Sequence, residues 1–132
     1  MKHSIVIFLS VLALNVVSAQ KESGESSVAL LGPVAFNKNL VDNPNYQLVD
    51  IRTPKEFNSG HLKNAVNIDF YDKDFLSKMS QLDKKKPIYI YCHIGGRSGR
   101  AARQLKNTGF VKVVDLKGGI VAWKKESLPL VK

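Results

Sequence analysis

Apolar positions along this chain fall into short runs whose spacing alternates between two periods. Residues 46–51, 65–68, 87–91 and 111–116 are brief and apolar, several of them rich in β-branched side chains and tyrosine, as buried strands are. Between them the spacing turns helical. Gly32-Pro33 opens a helix with Phe36, Leu40 and Val41 on one face, and Asn43-Pro44-Asn45 stops it. Thr53 caps a short helix with Pro54 at its first position, ended by Gly60. Phe75, Leu76, Met79 and Leu82 form the apolar stripe of a third helix. A fourth spans 98–107 and stops at Thr108-Gly109, and a fifth follows Gly118-Gly119 and carries Val121, Ala122 and Trp123. Strands alternating with helices predict an α/β fold: a mostly parallel central sheet with helices on both faces.

The two ends read differently from this core. Residues 1–19 pair a basic start at Lys2 and His3 with an apolar run from Ile5 to Val17 and the small residues Ser18 and Ala19. That is the pattern of a signal peptide cleaved near Ala19, and the run is short for a bilayer span, which needs about 20 residues. The expectation is an exported protein without a stable membrane anchor, periplasmic where the source has two membranes. Residues 20–27 are polar and aperiodic and read as a flexible lead-in, leaving 28–132 as one small domain. The net charge of +9 favours anionic partners. The lysines are scattered, however, and the single run Lys84-Lys85-Lys86 fits a solvated turn, so nucleic acid is not an expected partner. His3, His61 and His93 are too dispersed for a metal site, and no cofactor-binding motif is present.

Cys92 is the only cysteine, in a chain expected to meet an oxidising compartment, so it cannot form an intramolecular disulfide. Such a thiol is a liability unless it is used, in chemistry or in an intermolecular bond. It stands where the strand at 87–91 meets Cys92-His93-Ile94-Gly95-Gly96-Arg97-Ser98 and a helix begins. A thiol at a helix N-terminus beside an arginine favours its thiolate form. Paired glycines let backbone N–H groups approach a ligand closely. Ligands of parallel α/β folds sit outside the carboxyl ends of the strands, and Cys92 lies there.

The carboxyl half, from Tyr91 through Ser98, Ala101-Ala102, Leu105, Gly109-Phe110, Val113, Leu116, Gly118-Gly119 and Trp123, resembles the second signature of the rhodanese-like sulfurtransferase family in its single-domain form. The amino half resembles the first signature through Leu48-Val49-Asp50-Ile51-Arg52, Glu56-Phe57, Gly60-His61 and Ala65-Val66-Asn67-Ile68. Where the family commonly has Pro-Gly, this chain has Lys63-Asn64.

The resemblance implies a single rhodanese-like domain whose Cys92 takes the sulfane sulfur of a small anionic donor such as thiosulfate. It would hold that sulfur as a persulfide and pass it to a thiophilic acceptor, cyanide or a thiol, including a protein thiol. Backbone N–H groups of His93, Ile94, Gly95, Gly96, Arg97 and Ser98 would surround the outer sulfur, with Arg97 helping to bind the donor. Substitution at sulfur needs a thiolate and a good leaving group, and no dedicated base. Asp50, Arg52, Glu56 and His61 match family positions in supporting roles: Asp50 accepting backbone N–H bonds, Arg52 and Glu56 as an ion pair, His61 packed or hydrogen-bonded.

Two other readings compete with this one. One is a persulfide or thiol relay serving a partner protein. The other is a phosphate or arsenate enzyme of the related Cys-Arg loop type, which has five residues between Cys and Arg where this chain has four.

Overall fold

The computed structural model describes residues 26–132. The expected signal peptide lies outside the described residues. Five strands form one all-parallel sheet in the order β1-β5-β4-β2-β3, where β1 is Ser27–Leu31, β2 Gln47–Asp50, β3 Val66–Asn67, β4 Ile88–Tyr91 and β5 Lys112–Leu116. The helices between them are α1 (Pro33–Asp42), α2 (Pro54–Asn58), α3 (Phe75–Ser80), α4 (Gly96–Leu105) and α5 (Gly119–Lys125).

Two apolar layers hold the sheet between helices. On one face Val49, Ile88, Ile90 and Val113 pack against Phe75 and Met79 of α3 and Ala101, Ala102 and Leu105 of α4. On the other, Leu48, Tyr89, Val114 and Leu116 meet Phe36 and Leu40 of α1 and Ile120 and Trp123 of α5. Phe36 stands edge-on to both Tyr89 and Trp123, at ring-centroid distances of 5.2 and 6.4 Å. Burying a side chain of this size contributes about 1.5–3 kcal/mol. Strands β2, β4 and β5 are buried on both faces, which is why they read as continuous apolar runs rather than alternating ones.

Several expectations need correcting. Residues 28–31 carried no strand expectation, yet Ser27–Leu31 pairs with Lys112–Leu116 as an edge strand. The fold therefore begins inside the expected lead-in: Ser26 is buried and its N–H donates to the Lys106 carbonyl. Val41 and Leu76 face solvent, because one helical turn turns only Phe36 with Leu40, and Phe75 with Met79, toward the sheet. Helix α4 starts at Gly96, two residues earlier than expected, because Gly95 takes a left-handed conformation at φ 111° and turns the chain directly into the helix. At the Lys63-Asn64 step, Asn64 adopts φ 68°, a left-handed conformation that asparagine tolerates better than most residues.

The order β1-β5-β4-β2-β3 puts β4 at the centre, so the loop leaving it emerges in the middle of the sheet's carboxyl edge. No helix among the described residues is long and apolar enough to cross a membrane.

Candidate active site

Cys92 follows β4 directly and is 1% exposed. Its sulfur accepts from the backbone N–H of Gly95 at 3.1 Å and of Ser98 at 3.4 Å, and the thiol lies 3.4 Å from the Ser98 hydroxyl, which it meets as donor. Ser98 is fully buried, and its hydroxyl donates to the Gly95 carbonyl at 3.4 Å. The early start of α4 produces this geometry: the first-turn N–H groups, which have no partner inside a helix, point back at the sulfur.

The loop rests on the start of α5. Ile120 N–H donates to the Cys92 carbonyl at 3.0 Å and Val121 N–H to the His93 carbonyl at 3.1 Å. Gly119, at φ 60°, makes this approach possible, since a Cβ there would lie 2.4 Å from the His93 carbonyl oxygen and 2.6 Å from that of Cys92. The loop thus has both ends fixed by backbone, its inner carbonyls on α5 and its sulfur under α4.

Above the sulfur is an open cavity of about 360 Å³, lined by Tyr71, Cys92, His93, Ile94, Gly96, Arg97 and Arg100. Tyr71 and Ile94 are 68% and 66% exposed. Arg97 is committed elsewhere: its two terminal nitrogens donate to the two carboxylate oxygens of Glu56, both at 2.8 Å, and its guanidinium lies 5.6 Å from the Tyr71 ring centroid. Pairing with Arg97, helped by hydrogen bonds from Thr53, holds the Glu56 carboxyl down to about 2, and pairing with Glu56 raises Arg97 in turn. Arg100, one turn further along α4, has no carboxylate partner among the described residues.

Of the four supporting residues, Asp50 accepts a backbone N–H and His61 is packed and hydrogen-bonded as expected, while the pairing of Arg52 and Glu56 differs from the expectation. Arg52 does not pair with Glu56. It pairs with Asp50, the two side chains being 4% and 0% exposed, through contacts of 2.6–3.0 Å, and it also donates to the Gly60 carbonyl at 2.7 Å. The reason lies in chain direction. Asp50 ends β2 and turns back to accept the Arg52 N–H at 2.9 Å, while the capping box between Thr53 and Glu56 aims the Glu56 carboxylate toward α4. The Arg52 guanidinium also lies 5.7 Å from the Tyr91 ring centroid, and Tyr91 accepts the Leu62 N–H at 3.0 Å. Burial, followed by the charge of Asp50, raises the Tyr91 hydroxyl above its ordinary value. His61 is outside the cavity lining; its ring stacks on Phe57 at 3.7 Å and its Nδ1 meets the Phe57 carbonyl at 3.0 Å.

Sequence reasoning did not single out Tyr71 and Arg100 as cavity residues, or Gly119 as the seat of the loop. Tyr71 lies in a turn without periodicity, and the role of Gly119 needs a tertiary contact. Among the described residues no group of three or more His, Cys, Asp or Glu is placed to hold a metal ion.

The profile of the family described as "Rhodanese-like domain" matches residues 34–126. The chain is 35% identical over 97 residues to a protein of Allochromatium vinosum named "Sulfurtransferase", covering 74% of this chain and 89% of that one. It is 33% identical over 91 residues to "Thiosulfate sulfurtransferase GlpE" of Vibrio cholerae, covering 69% and 84%. Among solved structures it resembles a rhodanese-related protein from Thermoplasma volcanium, with TM-score 0.69 and 28% identity over 78% of this chain and 97% of that one.

Proposed function

Because this chain belongs to the rhodanese-like domain family of sulfurtransferases, we propose that it transfers sulfane sulfur through a persulfide on Cys92. The Cys92 thiolate attacks the outer sulfur of a donor such as thiosulfate, forming the Cys92 S–S bond and breaking the donor's S–S bond. The bonding pair leaves with sulfite. The terminal sulfur, Cys–S–S⁻, is then taken by a thiophilic acceptor, cyanide or a thiol, which regenerates the Cys92 thiolate.

The observation that carries this reading is the pair of N–H groups from Gly95 and Ser98 directed at the Cys92 sulfur at 3.1 and 3.4 Å. Donors fixed in advance around a site of negative charge stabilise that charge without reorganising. A loop with four residues between Cys92 and Arg97 suits one sulfur over the thiol better than a tetrahedral oxyanion. Exposed Tyr71 and Ile94 at the cavity rim favour a protein thiol as a second kind of acceptor, so relay to a partner is kept as a variant of the same chemistry. With cleavage near Ala19, the reaction takes place outside the cytoplasm; N-terminal sequencing of the exported chain tests that point, and a retained Met1 rejects it.

The test is intact-protein mass spectrometry before and after thiosulfate, and again after cyanide. The expected result is a gain of about 32 Da on Cys92, the mass of one sulfur added to a thiol, which cyanide removes and which Cys92→Ala never acquires. A wild-type protein that gains no mass from thiosulfate or from a protein persulfide, with its thiol still titratable, overturns the proposal.

A further inference from the structure

The solvent face of α4 carries one sign of charge, and it begins at the cavity. The helix reads Gly-Arg-Ser-Gly-Arg-Ala-Ala-Arg-Gln-Leu, with three arginines and no acid. Ser98, Ala101, Ala102 and Leu105 form its buried face. That leaves Arg100 and Arg103, three residues apart, as exposed neighbours on the opposite side. Arg97 is paired with Glu56, whereas Arg100 and Arg103 have no carboxylate partner among the described residues.

The two unpaired arginines stand differently toward the sulfur. Arg100 lines the cavity above Cys92, while Arg103 lines a separate groove of about 430 Å³ beside β1. The one acid in that groove, Asp115, is buried and makes no ion pair with Arg103. The Arg103 guanidinium leans back toward the cavity end of the helix, since a Cβ placed on Gly99 would lie 3.9 Å from its Nη1. Ile94 and Tyr71 add exposed apolar surface at the cavity rim. Beyond Tyr71 the sign reverses. Asp69 there accepts the Tyr71 N–H, and Asp72 accepts the Asp74 N–H and pairs with Lys78. The mouth of the site is therefore bipolar, positive over α4 and negative past Tyr71. A small anion inside the cavity has no use for Arg103, which lies outside it.

We propose that the solvent face of α4 docks a protein acceptor whose reacting cysteine is flanked by acidic residues, with Arg103 a specificity residue outside the reacting cavity. This rests on the reading of Cys92 as a sulfur carrier. Because Cys92 is 1% exposed, the acceptor must project its thiol into the cavity on an extended segment. Carboxylates one to three residues from that thiol then lie about 3–10 Å away along the segment, the scale of one to two turns of α4. The acceptor thiolate attacks the outer sulfur of the Cys92 persulfide. A new S–S bond forms on the acceptor, the Cys92 S–S bond breaks, and the bonding pair stays on Cys92 as its thiolate. Docking adds no step to this chemistry; complementary charge steers the encounter and selects the partner.

The experiment loads Cys92 of the full chain with sulfur from thiosulfate. It then measures kcat/KM for transfer to two peptides, each with one cysteine flanked on both sides by three glutamates or by three lysines. Comparing the glutamate-to-lysine ratio between proteins cancels each peptide's own thiol reactivity. At low salt the wild-type ratio should exceed that of Arg103→Glu on the order of tenfold, because reversal removes an exposed attraction and adds a repulsion. High salt should bring the two ratios together. Arg103→Glu should keep the wild-type rate with thiosulfate and cyanide at high salt, which also shows that it folds. Equal ratios in the two proteins at low salt overturn the proposal. So does a wild-type ratio that high salt leaves unchanged, a measurement that needs no variant. Arg103-dependent binding to phosphatidylglycerol vesicles without a preference between the peptides assigns the face to a lipid surface and likewise overturns it. Thiosulfate-to-cyanide turnover with equal ratios rejects the docking face alone, whereas a Cys92 that takes up no sulfur rejects the carrier reading and the docking face with it.

Discussion

Arg97 of α4 grips both carboxylate oxygens of Glu56 at 2.8 Å across 41 residues of sequence, tying the first turn of α2 to the first turn of the helix that cradles Cys92. Oε2 of Glu56 also accepts from the backbone N–H and the hydroxyl of Thr53, so one carboxylate caps a helix and closes the cavity wall. The arginine beside the reactive loop is thereby a structural clamp.

That clamp has a pH signature. Glu56 is held at about 2 against an ordinary 4.5, chiefly by Arg97. A folded-state value below the unfolded one means the stabilisation is fully present above about pH 4.5 and disappears as pH falls toward 2. Allowing for its partial exposure, Glu56→Gln should lower stability at pH 7 by about 1–2 kcal/mol. The gap from wild type should close by pH 2. Urea denaturation at the two pH values measures it, and an equal gap at both rejects the clamp's electrostatic role.

The Asp50–Arg52 pair behaves differently because both side chains are buried. Removing one partner leaves an uncompensated charge inside the fold, at about 3–5 kcal/mol. Arg52→Ala should therefore unfold the domain at much lower denaturant than Glu56→Gln does, with no special loss of sulfur transfer in whatever fraction stays folded. A variant with wild-type stability would mean that none of the guanidinium's contacts, with Asp50, the Gly60 carbonyl or the Tyr91 ring, holds this corner together.

Much of this was legible in the chain. The central strands announced themselves because burial on both faces leaves no polar position in Ile88–Tyr91, and Cys92 with its two glycines marked the loop. Edge strand Ser27–Leu31 did not, since Val28 and Leu30 are exposed and the segment borders a polar stretch. The charge pairing was misread for a physical reason: a spacing of four between Arg52 and Glu56 suggests a helical pair, but Arg52 precedes the N-cap at Thr53 and so lies outside the helix. The burial of Asp115 beside α4 depends on which face of β5 meets that helix, a tertiary fact that no local pattern encodes.

Gly119 offers a test of the loop's backbone support. A methyl group there would overlap the carbonyls of Cys92 and His93 at 2.4–2.6 Å in a conformation, φ 60°, that L-residues adopt with strain. Gly119→Ala should cost at least about 2 kcal/mol of stability and should lower the alkylation rate of Cys92 in the folded protein by displacing the loop from α4. Crystal coordinates or amide exchange of the variant check the displacement; an unmoved loop with unchanged thiol reactivity would show that α5 is not its seat.

On the proposed reading, with Arg97 paired to Glu56, an anionic donor would draw on a second cation at the cavity. Arg100 lines the same cavity, one helical turn on, with no carboxylate partner among the described residues. An exposed guanidinium at a cavity mouth attracts a divalent anion before and during reaction alike, so its removal should act on binding more than on chemistry. Arg100→Gln is expected to raise KM for thiosulfate about tenfold, the loss of one charge-assisted contact, with kcat within a factor of about two to three. Raised salt should shrink the difference between the proteins by screening the exposed charge. Arg97→Lys should instead weaken the clamp and reduce kcat with KM, because a lysine cannot hold both oxygens of Glu56 in one plane. Steady-state kinetics of the two variants at low and high salt separate the roles: an unchanged thiosulfate KM in Arg100→Gln, together with a raised one at constant kcat in Arg97→Lys, would return donor binding to Arg97.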